Sequence, residues 1–406
     1  MDDLLSRAPE EWAERIARRL SQRLFQEQPE VARRLFGRAA ADQAAEEGAS
    51  LSAEEFEATL AASVAESGEL WAIHSGAPLR ATGGAQRPAQ MARELARRAT
   101  VCHANAFEPR AVAGTLFRCR PDFLLNLVPR FPLPSRRGGG ESPRCIGIVS
   151  FPDRAGLALA RAWQEAGWTL IYDCLDLWRA FQGVACSLDW EEEIVGRADL
   201  VTVSARRLEE WVTWLGARRV VYLPNAATPS RWLIPPVPPE DLQRGPLTAI
   251  YVGYLAGEWF DWNLLEAVAE RGRAGGWEVN VIGEPPGDRP TGPNLHYLGA
   301  KPYEEVGGYL HFSDVGLIPF VENLLTDCVS PLKVYDYLAA GLPVVSTPMS
   351  ELRGIPYCHL ASGAAAFCAA VAEASQERVD PAVIERFCRD HSWARRVARL
   401  RQELGI

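Results

Sequence analysis

Strand-like and helix-like segments alternate through two halves of this 406-residue chain. A segment with six prolines between residues 226 and 246 separates the halves and predicts a linker. In the first half, short apolar runs predict strands over 70–74, 100–103, 145–150, 170–173, 200–204 and 220–223, and helical spacing predicts a helix over 88–98. This alternation is typical of βαβ units.

The second half repeats the alternation. Strands are predicted over 248–252, 278–282, 295–298, 315–319 and 343–346, and helices over 262–273, 303–312, 331–340 and 364–375. Two such runs predict an α/β protein with two doubly wound parallel sheets. In that architecture a ligand lies in the cleft beyond the carboxyl ends of the strands.

The chain divides into five predicted segments. Residues 1–68 form an all-helical extension, 69–225 and 247–380 are the two sheet domains, 226–246 is the linker, and 381–406 is a C-terminal helix. Ser52, followed three residues later by Glu55, has the pattern of a capping box that begins a helix. The extension is expected either to pack on the main body or to bind a partner, which includes a second copy of the chain.

Composition excludes several classes of protein. The net charge of −9 lacks the basic footprint of a nucleic-acid binder. Nine cysteines are scattered without a Cys-x-x-Cys pair, and the six histidines form no ligand pair at helical spacing, so no zinc site or disulfide framework is predicted. The acidic start predicts no signal peptide, and no run approaches the roughly 20 apolar residues of a membrane span. A cytoplasmic protein is therefore expected.

The stretch from Ser330 to Thr347 carries the most structured motif. Ser330 is predicted to cap a helix that Pro331 begins, and Gly341 to end it in a left-handed conformation. The N-terminus of a helix suits phosphate, and Lys333 adds a positive charge on the first turn. Asp336, three residues on and on the same face, could accept hydrogen bonds from sugar hydroxyls. The motif thus predicts a nucleotide-sugar site, and the alternative is a surface helix with an exposed Lys–Asp pair.

Lysine usage favours the site interpretation. Lys333 and Lys301 are the only lysines among 43 basic residues. Where ordinary exposed positions hold arginine, a remaining lysine is expected at a position that needs a compact ammonium group.

These features resemble the GT-B glycosyltransferases, especially the bacterial group-1, family-4-like enzymes, over about residues 69 to 406. The other matching stretches are Gly83-Gly84-Ala85-Gln86-Arg87-Pro88, Ile171-Tyr172-Asp173-Cys174-Leu175-Asp176, Ala198-Asp199-Leu200-Val201, Leu223-Pro224-Asn225-Ala226, Asp314-Val315-Gly316-Leu317-Ile318-Pro319 and His391-Ser392-Trp393. The resemblance implies two Rossmann-like domains that face a cleft. It also implies transfer of a hexose from a nucleotide sugar to a glycan or lipid-linked acceptor, as in polysaccharide biosynthesis.

The resemblance also implies roles for particular residues. The donor site is expected to contain Gly253, Ser330, Leu332, Lys333, Asp336 and Tyr303, and the glycine loop of the acceptor domain to contain Gly83, Gly84 and Arg87. Tyr297 and Tyr303 could flank the nucleotide base. Arg80 or Arg87 could assist Lys333 at the phosphate when the domains close.

The sequence departs from that family at two places. The family usually has two glutamates around the glycine turn and capped helix, and here Cys328 and Asp336 stand at those positions. The first loop of the donor domain, residues 253–261, lacks the usual basic residues. These losses leave open a catalytically degenerate protein that serves as a scaffold for another transferase.

The reaction sets the remaining expectations. Fixed donors and a lysine can stabilise a departing nucleoside diphosphate, so no metal or other cofactor is predicted. Inversion would need a general base, and the candidates are His74, Asp153 and Asp176. Each has a structural alternative, namely a core histidine, a helix cap and a loop buttress. Retention, which the resemblance favours, needs no base.

Two further alternatives stay open. An epimerase or phosphorylase on the same architecture would need additional acid–base groups or a cofactor lysine. The apolar run 123–128 could hold the protein at the inner membrane face or contact a lipid-linked acceptor, and a buried strand explains the same run.

Overall fold

The computed structural model describes residues 50–51, 53–76, 86–105, 116–120, 123–126, 143–181, 186–227, 237–255, 257–285, 287 and 289–406. Predictions for residues 1–49, including most of the helical extension, lie outside the described residues, as do those for Ser52, Arg80, Gly83, Gly84 and residues 228–236 of the linker.

The first domain is built on a nine-stranded sheet. Its strands are β1 (Ser50–Leu51), β2 (Glu69–Ser75), β3 (Thr100–Asn105), β4 (Leu116–Arg120), β5 (Phe123–Asn126), β6 (Arg144–Val149), β7 (Thr169–Cys174), β8 (Leu200–Val203) and β9 (Val220–Tyr222). The order across the sheet is β1-β4-β5-β3-β2-β6-β7-β8-β9, and only β4 runs antiparallel to its neighbours. The helices are α1 (Ala53–Ser67), α2 (Arg87–Leu95), α3 (Arg154–Glu165), α4 (Leu188–Arg197) and α5 (Arg207–Trp214).

The second domain is built on six parallel strands. They are β10 (Leu247–Val252), β11 (Trp277–Ile282), β12 (Leu295–Gly299), β13 (Val315–Ile318), β14 (Val344–Ser346) and β15 (Cys358–Leu360). The helices are α6 (Trp262–Gly272), α7 (Tyr303–His311), α8 (Leu324–Asp327), α9 (Leu332–Ala339), α10 (Ala364–Ala374), α11 (Pro381–Asp390) and α12 (Trp393–Leu404). The order β12-β11-β10-β13-β14-β15 is the 3-2-1-4-5-6 order of dinucleotide-binding sheets. In such sheets a ligand binds beyond the carboxyl ends of the two central strands, here β10 and β13, where the strand order reverses.

The predicted alternation of strands and helices is confirmed in both domains. Every predicted strand is present within one or two residues at each end. The central strands of both sheets are buried, as expected for parallel strands covered by helices on both faces. Strands β1, β4 and β15 were not predicted from the sequence. Of the two explanations for the run 123–128, the strand is confirmed for residues 123–126, which form β5.

The N-terminal prediction needs one correction. Helix α1 lies in the segment expected to be helical, but Ser50–Leu51 pairs with β4 as a strand at the edge of the first sheet. Leu60 and Val64 of α1 are buried in the core of the first domain. Residues 50–67 therefore belong to that domain rather than to a separate extension.

The C-terminal prediction was also wrong, because residues 381–406 form two helices rather than one. The second of these, α12, returns to the first domain and buries Trp393 and Leu400 in the same core cluster as Trp71. Arg401 on the same helix donates to both carboxylate oxygens of Glu69 at 2.7 and 2.9 Å. The end of the chain thus holds the two domains together.

Within the described part of the chain, no helix combines the length and the apolar composition that crossing a bilayer requires.

Candidate functional site

A small pocket lies at the carboxyl end of β10, against the start of α9. It is lined by Val252, Gly253, Tyr303, Val306, Leu310, Leu332, Lys333, Asp336 and Tyr337. Tyr337 fixes α9 at this place, since its hydroxyl accepts a 2.8 Å hydrogen bond from the backbone N–H of Val252. The pocket therefore occupies the switch point of the second sheet, and it contains five of the six residues predicted to bind the donor.

Lys333 is held in this pocket by aromatic rings rather than by an acid. Its Nζ lies 5.2 Å from the ring centroid of Tyr251 and 4.7 Å from that of Phe320, within the range of cation–π contact. Among the described residues Lys333 makes no ion pair. Burial lowers its pKa to about 8, and the charge of Asp336 acts in the opposite direction. The ammonium group is thus available to an anionic ligand.

Gly253 makes room for this lysine. It has a φ of +151°, which favours glycine, and a methyl group on its Cα would lie 3.2 Å from Cε and 3.3 Å from Nζ of Lys333. Its backbone N–H donates to the carbonyl of Ile282, which fixes the loop. The absence of a side chain at Gly253 therefore leaves the space that the Lys333 ammonium group occupies.

Asp336 lies one turn after Lys333 and is 8% exposed. Its Oδ1 accepts a hydrogen bond from the hydroxyl of Tyr303 at 2.9 Å. Burial raises the pKa of this carboxyl group to about 7, whereas Tyr303 and Lys333 act to lower it. Near neutral pH the group can either accept or donate a hydrogen bond, which suits a sugar hydroxyl. Tyr303 thus supports Asp336.

Ser330 does not cap α9, so this prediction was wrong. The N-cap residue is Pro331, without a side-chain cap, whereas Gly341 has the predicted left-handed φ of +77°. The backbone N–H of Asn225 donates to Ser330 Oγ at 3.4 Å, and Asn225 Nδ2 donates to the Ser330 carbonyl at 2.6 Å. Ser330 therefore connects the two domains, and the first N–H groups of α9 have no side-chain cap.

Arg87 is not free to assist at the phosphate, and this expectation is corrected. The side chain is 3% exposed and donates to both carboxylate oxygens of Asp173, at 2.8 to 3.2 Å. A third donor, Nη1, reaches the carbonyl of Leu223 at 2.6 Å. Asp173 also accepts from the hydroxyl of Thr202 at 2.6 Å. This network satisfies a buried charge and holds four segments of the first domain together.

His74 and Asp153 form a pair at the carboxyl edge of the first sheet. His74 Nε2 lies 2.7 Å from Asp153 Oδ1, and His74 is 3% exposed. The same oxygen accepts from the backbone N–H of Gly156 at 2.7 Å and so caps α3. The helix-cap interpretation of Asp153 is thus confirmed, and the cap also orients the histidine.

Asp176 follows β7 on the same edge. Burial raises the pKa of its carboxyl group to about 6. A carboxylate that titrates near neutral pH is better matched to general-base work than an ordinary aspartate. The structure therefore places all three candidate bases at one edge of the first sheet.

Cys328 and Asp336, which replace the two family glutamates, have different surroundings. Asp336 lies in the pocket, whereas Cys328 is 3% exposed and packs in the core cluster of the first domain with Cys174. Burial raises the pKa of the Cys328 thiol to about 11. Cys328 thus contributes apolar packing between the domains.

Lys301, the other lysine, has a structural partner. Its Nζ lies 2.6 Å from Asp241 Oδ2, and the hydroxyl of Tyr309 donates to Asp241 Oδ1 at 2.7 Å. This contact ties the end of the linker to α7. The two lysines therefore have different roles.

Tyr297 does not line the pocket, and its hydroxyl donates to the carbonyl of Pro290.

A second contact between the domains escaped the sequence analysis. Glu351 accepts from the hydroxyl of Tyr222 at 2.6 Å and from the backbone N–H of Arg206 at 2.7 Å. No local pattern marks these residues, because the partners are distant in sequence. Among the described residues, no group of three or more His, Cys, Asp or Glu side chains could hold a metal ion.

Comparison with known proteins agrees with this geometry. No family model matches the chain. A protein of Bacillus subtilis strain 168, named as the teichuronic acid biosynthesis glycosyltransferase TuaH, is 25% identical over 243 residues, which is 53% of this chain and 59% of that protein. The match thus spans less than two thirds of that relative.

Solved structures show the fold. A sucrose-phosphate synthase from Thermosynechococcus elongatus has a TM-score of 0.58 at 14% identity, over 83% of this chain and 98% of that chain. A trehalose-6-phosphate structure from E. coli with bound UDP-2-fluoro glucose has a TM-score of 0.57 at 12% identity, over 83% and 99% of the two chains. The chain has the fold of the GT-B glycosyltransferases, and the resemblance predicted from the sequence is confirmed.

Proposed function

We propose that this protein transfers a hexose from a nucleotide-sugar donor to a glycan or lipid-linked acceptor. The observation that carries the proposal is the pocket at the switch point of the second sheet, where Lys333 faces Gly253 and the Asp336–Tyr303 pair lies one turn away. A phosphate site beside a hydroxyl acceptor fits a nucleotide sugar. The name of the Bacillus subtilis relative supports a role in polysaccharide biosynthesis.

The pocket residues account for departure of the nucleoside diphosphate. The Lys333 ammonium group and the uncapped N–H groups of α9 face the position where negative charge develops as the glycosidic bond breaks. Asp336 would hold a hydroxyl of the sugar or ribose. These fixed donors support a reaction that does not need a metal ion.

The acceptor edge allows both stereochemical outcomes. We favour retention, in which the acceptor attacks from the side of the leaving group and the departing phosphate oxygen takes its proton. An inverting reaction would use His74, oriented by Asp153, or Asp176 as the general base. The stereochemistry of the product distinguishes the two mechanisms.

Thermal stabilisation by UDP-, GDP-, ADP- and dTDP-sugars tests the donor site. A ligand that binds the native state stabilises it by RT ln(1 + [L]/Kd), so weak donors are detected at high concentration. We expect one nucleotide to stabilise the wild type and Lys333→Ala to weaken its binding by about 30- to 100-fold, the value of a charged hydrogen bond.

The two lysines supply the matched control. Lys301→Ala removes the same charge at a site that contacts Asp241 instead of the pocket, so donor binding is expected to persist. Equal binding by wild type and Lys333→Ala would contradict the donor site. Binding without hydrolysis or transfer, across acceptors, would identify a scaffold protein.

A further inference from the structure

A row of five aromatic rings crosses the cleft between the domains. Phe151, which follows β6, contacts Trp178, with ring centroids 5.0 Å apart. Trp178 contacts Phe181 at 5.8 Å, and Phe181 contacts Trp259 in the second domain at 5.6 Å. Trp259 in turn lies 5.7 Å from Tyr254. These five residues are called the aromatic row below.

The aromatic row leads from the candidate bases to solvent. Phe151 is 2% exposed and stands two residues before Asp153, while Trp178 follows Asp176 by two residues. Phe181 and Trp259 are half-buried, and Tyr254 at the other end is 62% exposed. The reacting hydroxyl of an extended ligand on the row would therefore lie near the acids at the first sheet.

In the second domain, the loop that carries the end of the row leaves room for the indole of Trp259. Trp259 folds back over Gly257, since a methyl group on Gly257 would lie 2.2 Å from the indole. Any other residue at 257 would displace the indole. The loop that lacks the family's basic residues thus holds two aromatic rings at the mouth of the cleft.

The chemistry of the row and its surroundings favours a saccharide. The negative face of an aromatic ring attracts the C–H groups on the apolar face of a pyranose. Asp153, Asp176 and the exposed Glu258 each stand within two residues of a ring of the row in the sequence, and their carboxylates can accept from sugar hydroxyls. Carboxylates beside the row disfavour an acyl chain, because a charge next to lipid costs desolvation.

We propose that the aromatic row is the acceptor subsite, and that it binds an oligosaccharide by stacking its pyranose rings on Phe181, Trp259 and Tyr254. This inference rests on the proposed glycosyl transfer and adds the class of acceptor. Because Phe181 and Trp259 come from opposite domains, the complete subsite exists only when the cleft has this arrangement. Acceptor binding and domain closure are then coupled.

The test measures turnover of the donor that stabilises the wild type, with millimolar cellotetraose, maltotetraose or chitotetraose as acceptor. The same sugars are offered free and as octyl glycosides, which distinguishes a free from a lipid-linked source. In Trp259→Ala, we expect the KM of the active saccharide to rise about tenfold, the value of an aromatic stacking contact, while donor binding is unchanged. Trp259→Phe, which keeps a ring, is expected to recover most of the loss.

Trp214→Ala is the matched control. Trp214 is 66% exposed and stacks on Trp211 of α5, and it contacts none of the five rings of the aromatic row. A merely structural role of Trp259 would lower stability or kcat without a selective change in the saccharide KM. An equal KM in wild type and Trp259→Ala, or no response of the wild type to any of the saccharides, would overturn the acceptor subsite while donor stabilisation remains. If no nucleotide sugar stabilised the wild type, both the proposed function and the acceptor subsite would be overturned.

Discussion

At the carboxyl edge of the first sheet, Arg87 and His74 are each paired with a carboxylate, whereas the two ionisable side chains in the pocket of the second sheet form no ion pair among the described residues. Arg87 is bound by Asp173, and His74 by Asp153. Lys333 and Asp336 share the second pocket without an ion pair among the described residues, and burial shifts both pKa values toward neutral pH. An ion pair within the protein holds its two segments together, whereas a buried ionisable group without an ion pair can still form one with a ligand. The second edge is therefore prepared for a charged donor.

The largest effect is expected from breaking the paired edge. Asp173→Ala leaves the Arg87 guanidinium buried without a counter-charge, so the free energy of unfolding should fall by about 3–5 kcal/mol. Urea unfolding measures this change. Glu193→Ala removes a carboxylate whose partners, Arg161 and Arg197, lie at the surface, and it should change stability little. Equal losses in both variants would show that the buried pair has no special weight.

Replacing Asp336, which has no ion pair in the pocket of the second sheet, should raise the stability of the protein instead of lowering it. The pKa of Asp336 is raised from 3.8 to about 7, so the native state holds a proton that the unfolded state has released. The contribution of Asp336 to stability should therefore fall as pH rises from about 4 to 7, and its full cost persists above pH 7. Asp336→Asn removes the charge, and its amide oxygen can still accept from Tyr303. The variant should be more stable than the wild type at pH 8 by about 1–3 kcal/mol, and equally stable below pH 4.

Thermal unfolding of wild type and variant across this range of pH measures the difference. Asp380→Asn is the control, since Asp380 caps α11 and is exposed at the surface. If the difference in stability between Asp336→Asn and the wild type did not grow between pH 4 and 7, that would contradict a buried Asp336 without an ion pair.

The pocket of the second sheet was more predictable from the sequence than the carboxyl edge of the first sheet. Lys333 and Asp336 are three residues apart on one helix, and Gly341 marks the end of that helix, so the pattern is local. The order of the strands followed from the alternation of apolar runs. Tyr303 and Gly253 were placed by the family resemblance and lie in the same pocket. Local spacing and a known fold were sufficient there.

The paired edge and the contacts between domains could not be predicted in this way. Ser330 has a sequence suited to capping, but Asn225 from the other domain binds it instead. Arg87 lies in a glycine-rich stretch that suggests phosphate, but Asp173, 86 residues away, takes its guanidinium group. Such partners are chosen by the tertiary fold, and a single sequence carries no signal of which distant residue will be adjacent.

The smallest change in stability is expected from the hydrogen bond between Tyr222 of the first domain and Glu351 of the second. Tyr222→Phe removes the hydrogen bond to Glu351 and leaves the one from the Arg206 N–H, so stability should fall by about 0.5–1.5 kcal/mol. Tyr357→Phe is a matched control, because its hydroxyl accepts from the Asp380 N–H within the second domain. Only Tyr222→Phe should speed hydrogen exchange in the interdomain segments around residues 206 and 351. Equal exchange in both variants would mean that Glu351 does not hold the domains together, and the closed cleft would then depend on α12 and the aromatic row.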